Sequence, residues 1–265
     1  MTVTNAQSGT AADDGGKPSN MRSLSRALEV FAELQRADRP QRLSDLARNC
    51  GMSLPTTLRI LRVLQDFGMV SQTDKTYRIG PAVLPAARSY IENDPLVTAS
   101  RPVLQQVAAQ TGMTASLYTR LGIERILVVR VDGNAPLRYD MPLGKRLPLT
   151  VGAAGKVLLA GASDEDLQKV VQAAVAAGHE SPTFSLAELK ARLPEPGTDY
   201  AYSSDERATG VLSVAVAINR AGLPSESIAL TSPVDAATEE GLKAGVPELR
   251  RAAARLAELL EGSVY

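Results

Sequence analysis

Between residues 44 and 64 the chain reads SDLARNCGMSLPTTLRILRVL, two short helical patterns joined at Cys50-Gly51-Met52. Few arrangements satisfy that spacing. Ser44 is placed to cap the first helix and Asp45 favours its positive end. Gly51 supplies a turn because it takes positive φ without steric cost. Ser53 is placed to cap the second helix, and Pro55 falls in its first turn, where a missing N–H is harmless. Along that helix Leu54, Leu58, Leu61 and Leu64 share one side, expected to be buried, and Thr56, Arg59 and Val63 share the other, with Arg62 at the flank. Two helices joined this way lay the second one in the major groove of DNA, where Arg pairs with guanine and Thr meets a thymine methyl or a phosphate. The same geometry also serves as a plain helical hairpin, so the flanking segments decide how it is read.

Those segments complete a winged arrangement over residues 20–80. Leu24, Leu28, Phe31 and Leu34 keep helical spacing and predict a core-forming first helix over 22–37, ended by Ala37-Asp38-Arg39-Pro40. Residues 42–44 have the makings of a short strand. Phe67-Gly68 stops the second helix of the pair. Residues 69–72 and 76–79 predict a hairpin turning at Thr73-Asp74-Lys75 and ending at Gly80. Lys75 and Arg78 on that wing suit phosphate contacts.

The 265 residues suggest two domains. No apolar run approaches the roughly 18 residues of a membrane span. Residues 1–19 are polar, rich in Gly, Ser, Thr and Asp, and are expected to be a disordered tail rather than a signal peptide. A single Cys excludes an internal disulfide framework and fits a reducing cytoplasm. Scarce aromatics and no Trp argue against a single-strand binder built on stacking. Charge is uneven: residues 20–80 hold ten Lys/Arg against six Asp/Glu, a net +4; from residue 81 onward eighteen stand against twenty-one, a net −3; the tail adds −1. A positive domain on a mildly acidic remainder fits a DNA reader joined to a different module.

Residues 81–95 read as a linker helix broken at Asn93-Asp94-Pro95. A further helix over 96–111 points Leu104, Val107 and Ala108 inward. Strands are expected at 114–118, 126–132, 137–142, 199–203, 211–219 and 225–232, with 149–151 leading into a tight turn and a helix over 157–160. The last two strands form a hairpin turning at 220–223. Helices are expected over 164–178 and 185–193, capped by Ser163 and Ser185. One long helix over 239–261 carries Leu249, Ala253, Leu256 and Leu260 on one face. Interleaved strands and helices with adjacent hairpins predict an α+β domain around an antiparallel sheet.

Three tempting motifs fail. Gly152-Ala-Ala-Gly155-Lys156-Val157 has two residues between its glycines instead of four and Val after the Lys, so it is not a phosphate loop. The sole His179 and sole Cys50 make no metal site, and no Gly-x-Ser-x-Gly elbow occurs. Asp205-Glu206, with no nucleophile or second pair, suits structural roles better than acid–base work.

Several segments, in order, resemble the IclR family of bacterial transcriptional regulators: Ser23-Leu24-Ser25-Arg26-Ala27-Leu28; Thr56, Arg59 and Leu61; Tyr77-Arg78-Ile79-Gly80; Gly144; Pro148-Leu149; Ala154-Gly155-Lys156-Val157-Leu158-Leu159-Ala160; Glu206; Gly210; Val214-Ala215-Val216; and Ser232-Pro233. The resemblance covers nearly all of the chain from Met21 on. It implies a winged helix-turn-helix domain joined by a linker helix to a GAF-like effector-binding and oligomerisation domain over 96–265. It also implies a cytoplasmic, nucleoid-associated bacterial protein with no cofactor and no membrane partner. Such a regulator acts as a homodimer or homotetramer on double-stranded operator DNA and responds to a small molecule, often an organic acid or aromatic metabolite. Carried onto this chain, the DNA-binding residues are Arg26, Ser53, Thr56, Thr57, Arg59, Arg62, Lys75 and Arg78. The effector-binding residues are Ala153, Ala154, Ser203, Asp205, Ser213, Ala229 and Thr231. The chain departs from the family where some members place an acid, a Cys and a Ser: it has Ser203, Ser213 and Ala229. Met113 likewise stands where an acidic residue is common. The competing expectations are a metabolite-processing enzyme under a regulatory winged helix, which needs a convergent nucleophile and base, and a protein-interaction adaptor that ignores DNA.

Overall fold

The first helical pattern is realised in α1 (Ser19–Arg36), but its burial is displaced toward the C-terminal end. The computed structural model describes residues 19–135, 141–219 and 224–261, and in it the chain divides into two units between Ala87 and Arg88. In the first unit Val30 and Leu34 are buried and Phe31 packs on the same cluster, whereas Leu24 and Leu28 are 54% and 57% exposed. The two short helices that cover α1 are α2 (Leu43–Asn49) and α3 (Leu54–Asp66). At 1.5 Å per residue an 18-residue helix outruns both, and its first turns are left without cover.

The helix pair forms with one shift in register. β1 (Gln41–Arg42) pairs with β3 (Thr76–Ile79) and delivers the chain directly into α2, so Arg42, not Ser44, occupies the cap position, and without a side-chain cap. The turn follows the sequence: Gly51 has φ +61° and Met52 N–H donates to Ala47 O at 2.8 Å. Ser53 caps α3 through Thr56 N–H. Leu61 and Leu64 enter the core with Leu46, Val70 and Tyr77, while Leu54, expected inside, is exposed on the first turn. β2 (Val70–Thr73) and β3 close the wing around Asp74 (φ +55°), in a sheet of order β1-β3-β2. Gly80 is needed where the wing returns, because a Cβ there would overlap the Gly68 carbonyl oxygen.

Past α4 (Val83–Asn93), Asp94 caps α5 (Pro95–Thr111) by accepting from Val97 N–H at 3.0 Å, so the Asn93-Asp94-Pro95 break separates two helices. The second unit is built on one antiparallel sheet: β4 (Thr114–Leu121), β5 (Glu124–Val131), β6 (Arg146–Pro148), β7 (Tyr200–Ser204), β8 (Val211–Ile218) and β9 (Glu226–Pro233), in the order β6-β5-β4-β9-β8-β7. β6 ends just before residues 149–151, and α6 (Ala153–Leu159) starts earlier than the helix expected over 157–160, taking in Gly155 and Lys156. α7 (Asp164–Ala176) and α8 (Leu186–Arg192) are capped by Ser163 and Ser185 as expected, the latter in a reciprocal box with Glu188. The expected terminal helix is two: α9 (Glu239–Lys243) and α10 (Val246–Glu261). The break is at Gly245, where the chain passes so close to β9 that a Cβ would stand 2.5 Å from Leu230 Cδ1.

Period-2 alternation divides the sheet's side chains between two layers. One face packs Leu117, Val214, Val216, Ile228 and Leu230 against Leu104 and Val107 of α5 and Leu249 and Leu256 of α10; Met113 joins this core. The other packs Tyr118, Leu127, Leu147, Ala201, Ala215 and Ala229 against Ala153, Ala154 and Val157 of α6. The architecture is the expected α+β type. The tail over 1–18, residues 137–140 of an expected strand, the turn over 220–223 and the side chain of Leu260 lie outside the described residues. Among the described residues no helix is long and apolar enough to cross a membrane.

Candidate functional site

In the first unit the outward face of α3 carries Thr56, Arg59, Arg62 and Val63. Burying Leu61 and Leu64 fixes that presentation, since residues two or three positions away then point outward. Thr56 Oγ1 lies 2.9 Å from Ser53 Oγ, so the cap holds its hydroxyl at the helix N-terminus. Thr57 is a correction: it is fully buried and its hydroxyl donates to Ser53 O at 3.1 Å, so it stabilises the first turn from inside and offers nothing to a groove. Its place in the sequence between Thr56 and Leu58 hid this, because the buried stripe passes through Thr57 rather than Leu54. Arg26 on α1 and Lys75 and Arg78 on the wing are exposed. Gln65 reaches Gln72 at 3.5 Å, which ties α3 to the wing. Among the described residues Arg26, Arg59, Arg62, Lys75 and Arg78 make no ion pair, whereas the neighbouring Arg48 is engaged by Asp45 at 2.8 Å. Near the turn, Cys50 is half-buried, and burial, then Glu33 and Glu29, push its thiol above the ordinary value.

In the second unit the sheet brings most of the expected effector residues onto the face covered by α6. Ser203 pairs across from Ser213, Ser213 from Thr231, and Ala215 from Ala229, so all five share that face. The Ser203 and Ser213 hydroxyls lie 2.8 Å apart. Ala153 and Ala154 face them from α6. Asp205 does not join them. It is exposed beyond the end of β7 with φ +57°, and its carboxylate accepts from Gly210 N–H at 2.6 Å and from the Ser204 hydroxyl. Those bonds, the Gly210 one first, hold it below the ordinary carboxylate range. The Asp205-Glu206 pair is thus split between structural tasks, for Glu206 turns inward. It accepts from Gly152 N–H at 2.8 Å and pairs with Lys156, whose ammonium also donates to Tyr202 O at 3.2 Å.

Sequence reasoning missed several members of this face. Thr114 and Ser116 of β4 pair across from Thr231 and Ala229, and Arg130 of β5 pairs across from Ser116. The signal was present: Thr114, Ser116 and Tyr118 alternate with Ala115 and Leu117. Arg125, fully buried, was also missed. Its guanidinium lies 5.4 Å from the Tyr118 ring centre and donates to Pro148 O. A Cβ on Gly155 would come within 2.6 Å of its Nη1, which explains the small residue in the Gly-Lys segment better than any phosphate would.

Two family models match: the IclR helix-turn-helix domain over residues 23–74 and the C-terminal domain of the bacterial transcriptional regulator IclR over 88–258. The chain belongs to the IclR family of bacterial transcriptional regulators. As an IclR-family chain it is 27% identical over 227 residues to the HTH-type transcriptional repressor AllR of Escherichia coli (strain K12), covering 82% of each. An IclR transcriptional regulator from Alicyclobacillus acidocaldarius matches over 90% of this chain and 98% of its own, with TM-score 0.72 and 25% identity. An IclR homolog from Microbacterium hydrocarbonoxydans, complexed with 4-hydroxybenzoate, shares the fold at TM-score 0.65 and 19% identity, over 91% of this chain and 100% of its own. The protein is accordingly a DNA-binding transcriptional regulator, with a helix-turn-helix domain and an IclR effector domain on one chain.

Proposed function

We propose that this regulator binds operator DNA through the outer face of α3 and the wing, and that a small organic acid or aromatic metabolite held on the α6 face modulates that binding. Thr56 and Arg59 read base edges. Arg26, Ser53, Arg62, Lys75 and Arg78 hold phosphates. Ser203, Ser213 and Thr231 take the effector's oxygens, with Ala153, Ala154 and Ala229 leaving it room. The observation that carries the reading is the set of exposed cations Arg26, Arg59, Arg62, Lys75 and Arg78, which make no ion pair among the described residues, since phosphate neutralisation is what such groups supply. The 4-hydroxybenzoate complex of the Microbacterium protein and the repressor name of the Escherichia coli relative favour a ligand-responsive repressor. The second unit binds its effector without converting it. A homodimer or homotetramer places two recognition helices on paired half-sites, and the effector changes their relative placement. The test is a mobility shift of the full-length protein on DNA from upstream of its own gene, run across salt with a panel of small acids and aromatics. A specific shift altered by one compound supports the reading. No shift at low salt on any upstream fragment refutes it.

A further inference from the structure

Ser116 and Thr231 are each 3% exposed, and neither hydroxyl makes a hydrogen bond among the described residues, although neither oxygen is among the fully enclosed atoms left without a partner. Their neighbours are otherwise engaged: Ser203 with Ser213, and Thr114 Oγ1 as acceptor for Gly133 N–H at 3.2 Å. Hydroxyls on residues this buried are normally bonded, so these two, each with a residual opening, hold unused bonding capacity. Two of them on adjacent strands of the α6 face, beside alanines rather than bulky side chains, fit a guest that carries oxygen.

The charges around that face are unequal. Lys156 is neutralised by Glu206, and Arg125 is buried against Gly152, Gly155 and the Pro148 carbonyl. Arg130 is different. It stands directly across from Ser116, and its Nη1 donates at 3.3 Å to the carbonyl of Met141, a member of the α6-face cluster. Its ionic partner is Asp132 at 2.7 Å, whose side chain is 67% exposed. A pair to so exposed a carboxylate is worth little and exchanges readily for a carboxylate held out of water.

Resting on the effector reading above, we propose that Arg130 is the specificity-determining residue of the site. It takes the effector's carboxylate with Ser116 beside it, while Thr231 and Ser213 take a second oxygen at the far end. Thr231 is on the second strand from Arg130 and Ser213 on the third. At about 4.8 Å per strand spacing, the backbones that carry the two ends are about 10 Å apart, a span with room for a hydroxylated ring acid.

The experiment titrates full-length protein calorimetrically with 4-hydroxybenzoate, its neutral analogue 4-hydroxybenzamide, benzoate and glyoxylate. Wild type is compared with Arg130→Gln, Arg130→Lys, Thr231→Val and Ser203→Ala, with the melting temperature and DNA shift of each recorded. Wild type should prefer 4-hydroxybenzoate over the amide by at least about tenfold and over glyoxylate. Arg130→Gln should abolish the acid-over-amide preference at an unchanged melting temperature, and Arg130→Lys should keep part of it. Thr231→Val should erase the preference for 4-hydroxybenzoate over benzoate. If Arg130→Gln keeps the wild-type preference while Ser203→Ala or Thr231→Val weakens binding, the site stands and the Arg130 assignment falls. If binding ignores all these variants, the α6-face reading itself falls. A wild type that binds glyoxylate and not the ring acid, or none of the probes with its DNA shift intact, overturns the proposed effector class.

Discussion

The cations on the recognition face of the first unit and those around the sheet of the second are used in opposite ways. In the helix-turn-helix unit Arg26, Arg59, Arg62, Lys75 and Arg78 are exposed and without ion pairs among the described residues. In the effector unit Lys156 is paired with Glu206, Arg192 with Glu180 at 2.8 Å, and Arg146 with Glu124 at 3.5 Å, all with little exposure on at least one side. Arg120, desolvated by burial and thereby lowered from its ordinary value, donates to Leu158 O. Cations left outward make a surface for a polyanion. Cations turned inward tie helices and loops to a sheet, and on the α6 face hydroxyls and one arginine with an exposed partner are left for the proposed recognition.

That contrast can be broken most forcefully at Lys156. Lys156→Met strands the Glu206 carboxylate and should destabilise the second unit by about 3 kcal/mol, read as a lowered midpoint in chemical denaturation. A change within experimental error would mean that the pair is not structural. Arg59→Ala should leave the denaturation midpoint in place but weaken operator binding by about 1–3 kcal/mol, with discrimination relaxed at one base pair; unchanged affinity in fluorescence anisotropy removes it from the interface. Thr57→Val sharpens the division within α3 itself. It should cost about 1 kcal/mol of stability and leave DNA affinity unaltered. Lys75→Ala should weaken all sequences alike and reduce the magnitude of the log–log salt slope by about 1; an effect on one sequence only would make Lys75 a base reader. The smallest effect is expected at Asp205. Its depressed carboxylate stabilises the fold above its unfolded titration range, and this is lost as pH falls through the folded value. Asp205→Asn should therefore slightly flatten the acid limb of the stability–pH curve without altering effector binding.

The helix-turn-helix was legible because its signals are local. Gly51, Ser53 and Pro55 act within a few residues of themselves, and each does in the structure what its chemistry suggested. Failures came where a distant element decides. Leu24 and Leu28 are exposed because α2 and α3 cover only part of α1, and Arg42 displaces Ser44 as cap because β3 holds β1. At the break between α9 and α10, Gly245 is confined by Leu230, some fifteen positions earlier in sequence. On the α6 face, Ser203, Ser213, Ala229 and Thr231 came from resemblance, and alternation alone would have placed each on one of two faces. Ser116 was visible in the alternation of its own strand, but bringing it and Arg130 to the face of Thr231 needed the strand order, which no local pattern encodes. Asp205 failed because its left-handed backbone takes it out of the alternation that Ser203 obeys.

The central claim is that an effector on the α6 face governs DNA affinity set by the outer cations. The most direct measurement is the anisotropy of labelled upstream DNA titrated with full-length protein, at several salt concentrations, with and without 4-hydroxybenzoate, for wild type and Thr231→Val. The account predicts salt-dependent binding that the compound shifts in wild type and shifts much less in the variant. Binding that is insensitive to salt, or a ligand response of equal size in both proteins, would contradict it.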